Sequence, residues 1–229
     1  MQRRGSPRLE KRSLVDLVPL KPKIMARQLI HQVTPALAKQ YGVKGDQVSL
    51  GLVTCDMDDA LYVALDECTK YANVEVVYAR SFYAGSRHAS GPTSGEAIGV
   101  IAGNDPSEIK EGLDALENCL IKEAWFYTVL PEQKVSFFPH VVSSVGHYLS
   151  KIANVPVGSS LAYLIACPIE AMMGLDAAMK AARVELAKFY GPPTETNYGG
   201  GLLSGEQTEC EQAARAFAET VVQIHARPK

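Results

Sequence analysis

The chain has 229 residues, 47% of them hydrophobic and 21% charged, with a formal net charge of −2. That balance excludes the basic stripe of a nucleic-acid binder, and no apolar run reaches the roughly 18 residues of a membrane-spanning helix. A chain of this length removes about 70% of its unfolded surface from water, enough for one large core or two small ones.

Residues 1–16 open basic, with Arg3, Arg4, Arg8, Lys11 and Arg12, and no apolar stretch follows them. They are expected to be a disordered extension rather than a secretory signal, which makes the cytoplasm the expected location. A strand around Leu29–Val33 leads into a short helix, and Leu50–Thr54 is an apolar run suited to a buried strand. Over Asp58–Ala72 the apolar residues Leu61, Ala64, Leu65, Cys68 and Ala72 recur at helical spacing, which predicts a helix with Asp59, Asp66, Glu67 and Lys70 turned outward. The acids Asp56, Asp58 and Asp59 stand at its start, where capping and the helix dipole give them about 1 kcal/mol of stabilising work. Val74–Ala79 alternates as a strand, residues 80–95 are a Gly- and Ser-rich loop, and Val100–Gly103 is a strand. Asp105–Pro106 then marks a helix start. The aromatics Trp125, Phe126 and Tyr127 follow at a junction expected to pack as core.

Beyond that junction the order repeats. Ala64–Val76 aligns without a gap on Gly174–Leu186, with Leu65, Asp66, Lys70, Ala72, Val74 and Glu75 recurring as Leu175, Asp176, Lys180, Ala182, Val184 and Glu185. Ser49–Cys55 matches Ser160–Ala166, Leu29–Val33 matches Val141–Val145, and Val100–Gly103 matches Leu202–Gly205. A second loop spans 190–201, and the last helix places Ala213, Ala214, Phe217 and Val221 on one face. The chain is a tandem duplication, each copy reading strand, short helix, strand, helix, strand, loop, strand, helix. This is an α/β (α+β) class with a small, mainly antiparallel sheet and flanking helices in each copy. Cys55, Cys68, Cys119, Cys167 and Cys210 form no CxxC pair and read as reduced, mostly buried thiols.

Several strings resemble one family: Asp56-x-Asp-Asp59, Ala64-Leu-Asp-Glu-x-Thr-Lys70, Val74-Glu-Val-Val-Tyr-Ala-Arg-Ser-x-Tyr-Ala-Gly85 and Pro192-Pro-Thr-Glu-Thr-Asn197. Together, over about residues 17–226, they are similar to the EutL-type shell proteins of the ethanolamine-utilisation microcompartment. The resemblance implies two circularly permuted microcompartment-shell domains, 17–126 and 127–229, after the 1–16 extension. It implies a homotrimer shaped as a flat pseudo-hexamer that tiles with other shell proteins, and no enzymatic activity. It also implies a gated central pore lined by segments 80–95 and 190–201, whose bulky members are Tyr83, Arg87, His88 and Tyr198. A small pore within each subunit would bind ethanolamine through Asp58 and Glu96, with Phe126 as a wall; a primary ammonium offers three donors and a charge that carboxylates satisfy.

Other readings compete. A soluble sensor could bind a cationic metabolite through Asp58 and Glu96. A thiol nucleophile at Cys55 would need His31, His140 or His147 beside it, yet the repeat places Ala166 at the matching position. No cofactor motif is present: Asp56-x-Asp-Asp59 comes without a phosphate-binding loop, His88 reads as solvated, nothing indicates cobalamin, and no metal site is expected.

Overall fold

The computed structural model describes residues 17–81, 97–129 and 135–225. The first half contains β1 (Leu17–Leu20), β2 (Ile24–Ile30), α1 (Pro35–Gln40), β3 (Ser49–Cys55), α2 (Asp58–Tyr71), β4 (Glu75–Ser81), β5 (Ala97–Gly103) and α3 (Pro106–Lys122). The second contains β6 (Phe126–Val129), β7 (Ser136–Val142), α4 (His147–Ala153), β8 (Ser160–Ala166), α5 (Pro168–Ala181), β9 (Glu185–Tyr190), β10 (Gly199–Gly205) and α6 (Gln207–His225). Leaving out β1 and β6, both halves follow the order expected from the repeat.

The sheets carry the same topology. Copy one is ordered β2-β3-β5-β4; copy two is ordered β7-β8-β10-β9 with β6 and then β1 added at its edge. Every pairing is antiparallel. Strand β1 leaves its own copy and pairs with β6, Leu17 opposite Val129 and Leu20 opposite Phe126. The sequence reading did not foresee these two short strands.

Local chemistry sets the ends. Asp105 caps α3 by accepting the Ser107 N–H, with Pro106 at the first turn. The helix expected over Asp58–Ala72 runs from Asp58 to Tyr71, but its cap is Met57 with no side-chain hydrogen bond. Asp56 instead accepts the Lys23 N–H at 2.7 Å, tying the strand–helix corner to the start of β2. The loop expected over 190–201 is shorter, because β9 continues to Tyr190 and β10 begins at Gly199. The turn between them closes through Thr194 N–H to Tyr198 O and Asn197 N–H to Thr194 O, with Asn197 at φ 64°.

The two copies do not fold around separate cores. One hydrophobic cluster joins Leu61, Leu65, Ile101 and Leu113 of copy one to Phe138, Leu149, Leu161 and Tyr163 of copy two. Strand β8 is therefore buried on both faces. Ala162, Leu164 and Ala166 lie in the cluster with α5 and α6, whereas Leu161, Tyr163 and Ile165 lie in the shared one. The outward expectation for Asp59 and Asp66 is wrong for this reason: the face of α2 opposite its own sheet meets copy two rather than water, and both side chains are buried.

Asp66 is the central polar contact of this seam. Its Oδ2 accepts the Gly146 N–H at 2.6 Å and its Oδ1 the Leu149 N–H at 2.8 Å, so a carboxylate of copy one caps α4 of copy two. Thr69 Oγ1 accepts the His147 N–H at 3.0 Å, and Lys70 donates to Ser144 O. Burial pushes the Asp66 pKa above the usual carboxylate range, against the pull of the two N–H donors. A Cβ at Gly146 would stand 2.4 Å from Thr69 Oγ1, so only glycine allows this approach. At the rim, Glu75 of β4 is gripped by Lys44 and, across the seam, by Lys151.

Asp66→Ala leaves two buried N–H groups without an acceptor. It is expected to lower unfolding free energy by about 2–4 kcal/mol in urea denaturation. A loss below about 1 kcal/mol would show that the carboxylate does not hold the seam.

Candidate functional site

The acidic start of α2 faces the seam, and copy two answers it with aromatic side chains. β8 brings Tyr163, buried at 2% exposure, whose hydroxyl donates to Asp59 Oδ1 at 2.6 Å. Tyr190 at the end of β9 stacks on Tyr163 with centroids 6.1 Å apart. Tyr62, one turn along α2 from Asp58, lies 6.5 Å from the ring of Tyr148 on α4. Strand β7 adds Phe138, which meets Tyr163 edge-on at 5.6 Å and stacks on Phe126 of β6 at 4.8 Å. Tyr198 of the β9–β10 turn meets Phe126 edge-on at 6.2 Å, and its hydroxyl is hydrogen-bonded to Ser136 Oγ. Two acids thus sit at one end of an aromatic wall that runs through the seam.

Electrostatics makes this corner demanding. Asp58 is half-buried, and burial raises its pKa against hydrogen bonds from the Ser81 side chain and the Asp59 backbone; the charge of Glu195 raises it further. Asp59 is pushed up more strongly, first by burial and then by Asp58 next to it. The tyrosines respond in the same direction: burial and the nearby carboxylates raise Tyr62, Tyr148 and Tyr163, and Tyr190 rises to about 12. Desolvated carboxyls among phenols form a place where a small cation is favoured over an anion.

The structure brings three of the sequence-derived site residues, Asp58, Phe126 and Tyr198, to this seam. Phe126 and Tyr198 are in mutual contact, while Asp58 connects to them through Asp59, Tyr163 and Phe138. Tyr83, Arg87, His88 and Glu96 lie outside the described residues. Sequence reasoning missed Asp59, Tyr62, Tyr148, Tyr163 and Tyr190. The repeat carried a signal for two of them. Asp59 stands where the second copy has Ile169, and Tyr163 stands where the first has Leu52, so each departs from its twin at the seam.

Thiol chemistry has no support here. Burial pushes Cys55 up to about 12, which leaves it protonated at neutral pH, and His140 is held down at about 4 by burial against Phe138. Among the described residues no group of three or more His, Cys, Asp and Glu is arranged to hold a metal. Among the described residues no helix is long and apolar enough to cross a membrane.

The chain as a whole is similar to several known proteins. The family model described as "BMC domain" matches residues 49–132, beginning at β3. The microcompartment shell protein EutL of Clostridium perfringens is 44% identical over 209 residues, covering 91% of this chain and 96% of that protein. EutL of Salmonella typhimurium is 42% identical over 214 residues, 93% of this chain and 97% of the relative. The crystal structure of the ethanolamine utilisation protein EutL from Leptotrichia buccalis superposes with a TM-score of 0.89 at 46% identity, covering 92% of this chain and 97% of that one.

A raised carboxyl pKa in the fold stabilises the protein fully below its unfolded value of about 4, and that stabilisation is lost as pH rises towards the folded value. Asp59→Asn mimics the protonated acid, still accepting from Tyr163. It should therefore melt higher than the wild type at pH 7–8, with the gap closing towards pH 4. A wild type that gains on the variant as pH rises would refute the raised Asp59 pKa.

Proposed function

Since the chain belongs to the EutL family of bacterial microcompartment shell proteins, which are structural proteins and not enzymes, we propose that it is a trimeric tile admitting a small cationic metabolite through the subunit seam. One observation carries the reading: the face that copy one buries against copy two has an unburied twin. Val63 is 2% exposed, whereas Met173 at the matching position is 52% exposed. Asp59 corresponds to Ile169 at 67%, and the half-buried Val76 and Ala79 of β4 correspond to the exposed Leu186 and Phe189 of β9. The receiving face is open too. Leu149 of α4 is wholly buried, but Leu37 of α1 is 37% exposed, and Leu52 and Thr54 are half-exposed where Tyr163 and Ile165 are covered.

A protein with two different complementary faces joins head to tail, and such a contact closes into a ring or runs into a fibre. With two copies per chain, three chains close a six-module ring. The ring then presents the tiling edge that other shell proteins meet. We divide the chain into module one, 17–126, and module two, 127–229, preceded by a separate basic segment, 1–16.

In this reading Asp58, with Glu96 and against the wall of Phe126, receives the ammonium group of ethanolamine. The support is the desolvated acid–phenol corner, which favours a compact cation. The segments 80–95 and 190–201 gate the central opening, with Tyr83, Arg87, His88 and Tyr198 as its bulky members. Tyr198 is anchored on Phe126 and Ser136, so motion of its turn would be felt at the seam.

Sedimentation should give a trimer, and Ile169→Asp with Met173→Asp should return it to monomers that keep the wild-type circular dichroism. A discrete soluble oligomer that never forms sheets would favour a sensor instead. In titration calorimetry, Asp58→Asn and Glu96→Gln should each weaken ethanolamine at least fivefold; unchanged isotherms for both would end the metabolite assignment.

A further inference from the structure

Away from the acid–phenol corner, the rim of the seam opens into a cavity of about 350 Å³ between module one and α4. We propose that this cavity is a second binding site, for an uncharged polyhydroxylated molecule of roughly monosaccharide size. Every residue lining it belongs to one chain, and Tyr148 is the one wall it has in common with the acid–phenol corner. A water takes about 30 Å³ of liquid, so such a ligand replaces roughly a dozen waters.

The charges around the cavity cancel. Lys44 and Lys151 both donate to Glu75, and Asp46 acts on Lys44 from the same loop. The Lys44 hydrogen bond holds Glu75 below the usual carboxylate range, so it stays ionised at neutral pH. An anion would have to draw a lysine off Glu75, and a cation would have to compete with two lysines for one carboxylate. Either exchanges one exposed ion pair for another, which gives little net attraction.

Neutral groups, by contrast, stand ready. Gln47 accepts the Lys44 N–H through Oε1, which leaves its amide NH2 as a donor. Asn73 directs its NH2 to Glu108 Oε1 at 3.4 Å, which leaves Oδ1 as an acceptor. Among the described residues, the Asn104 amide and the Tyr148 hydroxyl form no hydrogen bond. Amides with free donors and acceptors suit vicinal hydroxyls, because each hydroxyl can both donate and accept. Val76 and the half-buried ring of Tyr148 line the same cavity and give the C–H groups of such a ligand an apolar surface.

The second copy shows that the module does not need these polar groups to fold. The bonds Val33 N–H to Val48 O and Val145 N–H to Ser159 O are equivalent, which sets Gln47 on Gly158 and Asp46 on Val157. Lys44 then falls on Val155, Asn73 on Arg183 and Asn104 on Glu206. The loop before β8 is thus apolar where the loop before β3 is polar, and its Val157 is 54% exposed. Strand order is shared by the two copies, so the amides belong to the cavity rather than to the module.

Saturation-transfer NMR on the full chain tests the site with xylitol, glucose and inorganic phosphate as probes. Xylitol or glucose should bind at millimolar concentration, and Gln47→Ala with Asn104→Ala should weaken that binding about tenfold through the loss of two hydrogen bonds. Tyr148→Phe removes a single hydroxyl and should weaken it about threefold, which serves as the second measurement if the double variant melts lower than the wild type. The ethanolamine isotherm of the double variant should match that of the wild type, which separates this site from the cation path. Failure of both xylitol and glucose to bind, phosphate binding at least as tight as either, or polyol binding unchanged in both variants overturns the proposal and leaves the cation path standing.

Discussion

A carboxylate of one module holding the helix of the other is the contact on which the rest of this structure depends. Asp66 reaches from α2 to the backbone N–H groups of Gly146 and Leu149, which the short helix α4 cannot satisfy by itself. A buried acid needs donors, and a buried helix start needs an acceptor, so each removes the other's cost of desolvation. Because the bond crosses the duplication, it sets the distance and rotation between the sheets. Gly146 is the local requirement that follows, since no side chain fits between α4 and α2.

Once the seam is fixed, its other contents follow. β8 is pressed between α5 and α6 on one side and α2 on the other, and Tyr163 is the residue that turns from β8 towards the start of α2. There it meets Asp59, an acid in a place where the duplicated module has an isoleucine. The same scaffold therefore yields two different surfaces. Copy one at the seam is acidic and hydrogen-bonded, while copy two at its free face is apolar and open. The difference lies in a few side chains at positions where backbone and topology are shared.

This asymmetry shows what fusing two modules permits: the copies differ where they meet. Fusion lets the seam between the two modules take its own chemistry. The inner seam can hold desolvated carboxyls because the chain keeps its halves together. The free face of copy two carries the charged pair Asp176–Lys180 and the exposed Ile169 and Met173.

The sequence by itself determined the modules. Periodicity found α2 and α6, the Asp105–Pro106 start signal found α3, an apolar run found β3 and an alternating β-branched run found β4; the aligned repeat predicted an identical strand order in both halves, which the sheets display. Resemblance to a family put Asp58, Phe126 and Tyr198 among the expected site residues, and the fold brings these three to the seam. Tertiary structure alone decided where the modules meet, and hence that Asp59 and Asp66 are inside. A helical pattern separates apolar from polar positions and assigns the polar ones to water. It has no means of distinguishing water from a neighbouring module that offers N–H and O–H groups, because both satisfy a carboxylate. The pairing of β1 with β6 was hidden for a related reason: four-residue strands carry too little pattern to be seen, and their partners are set by chain closure rather than by local preference.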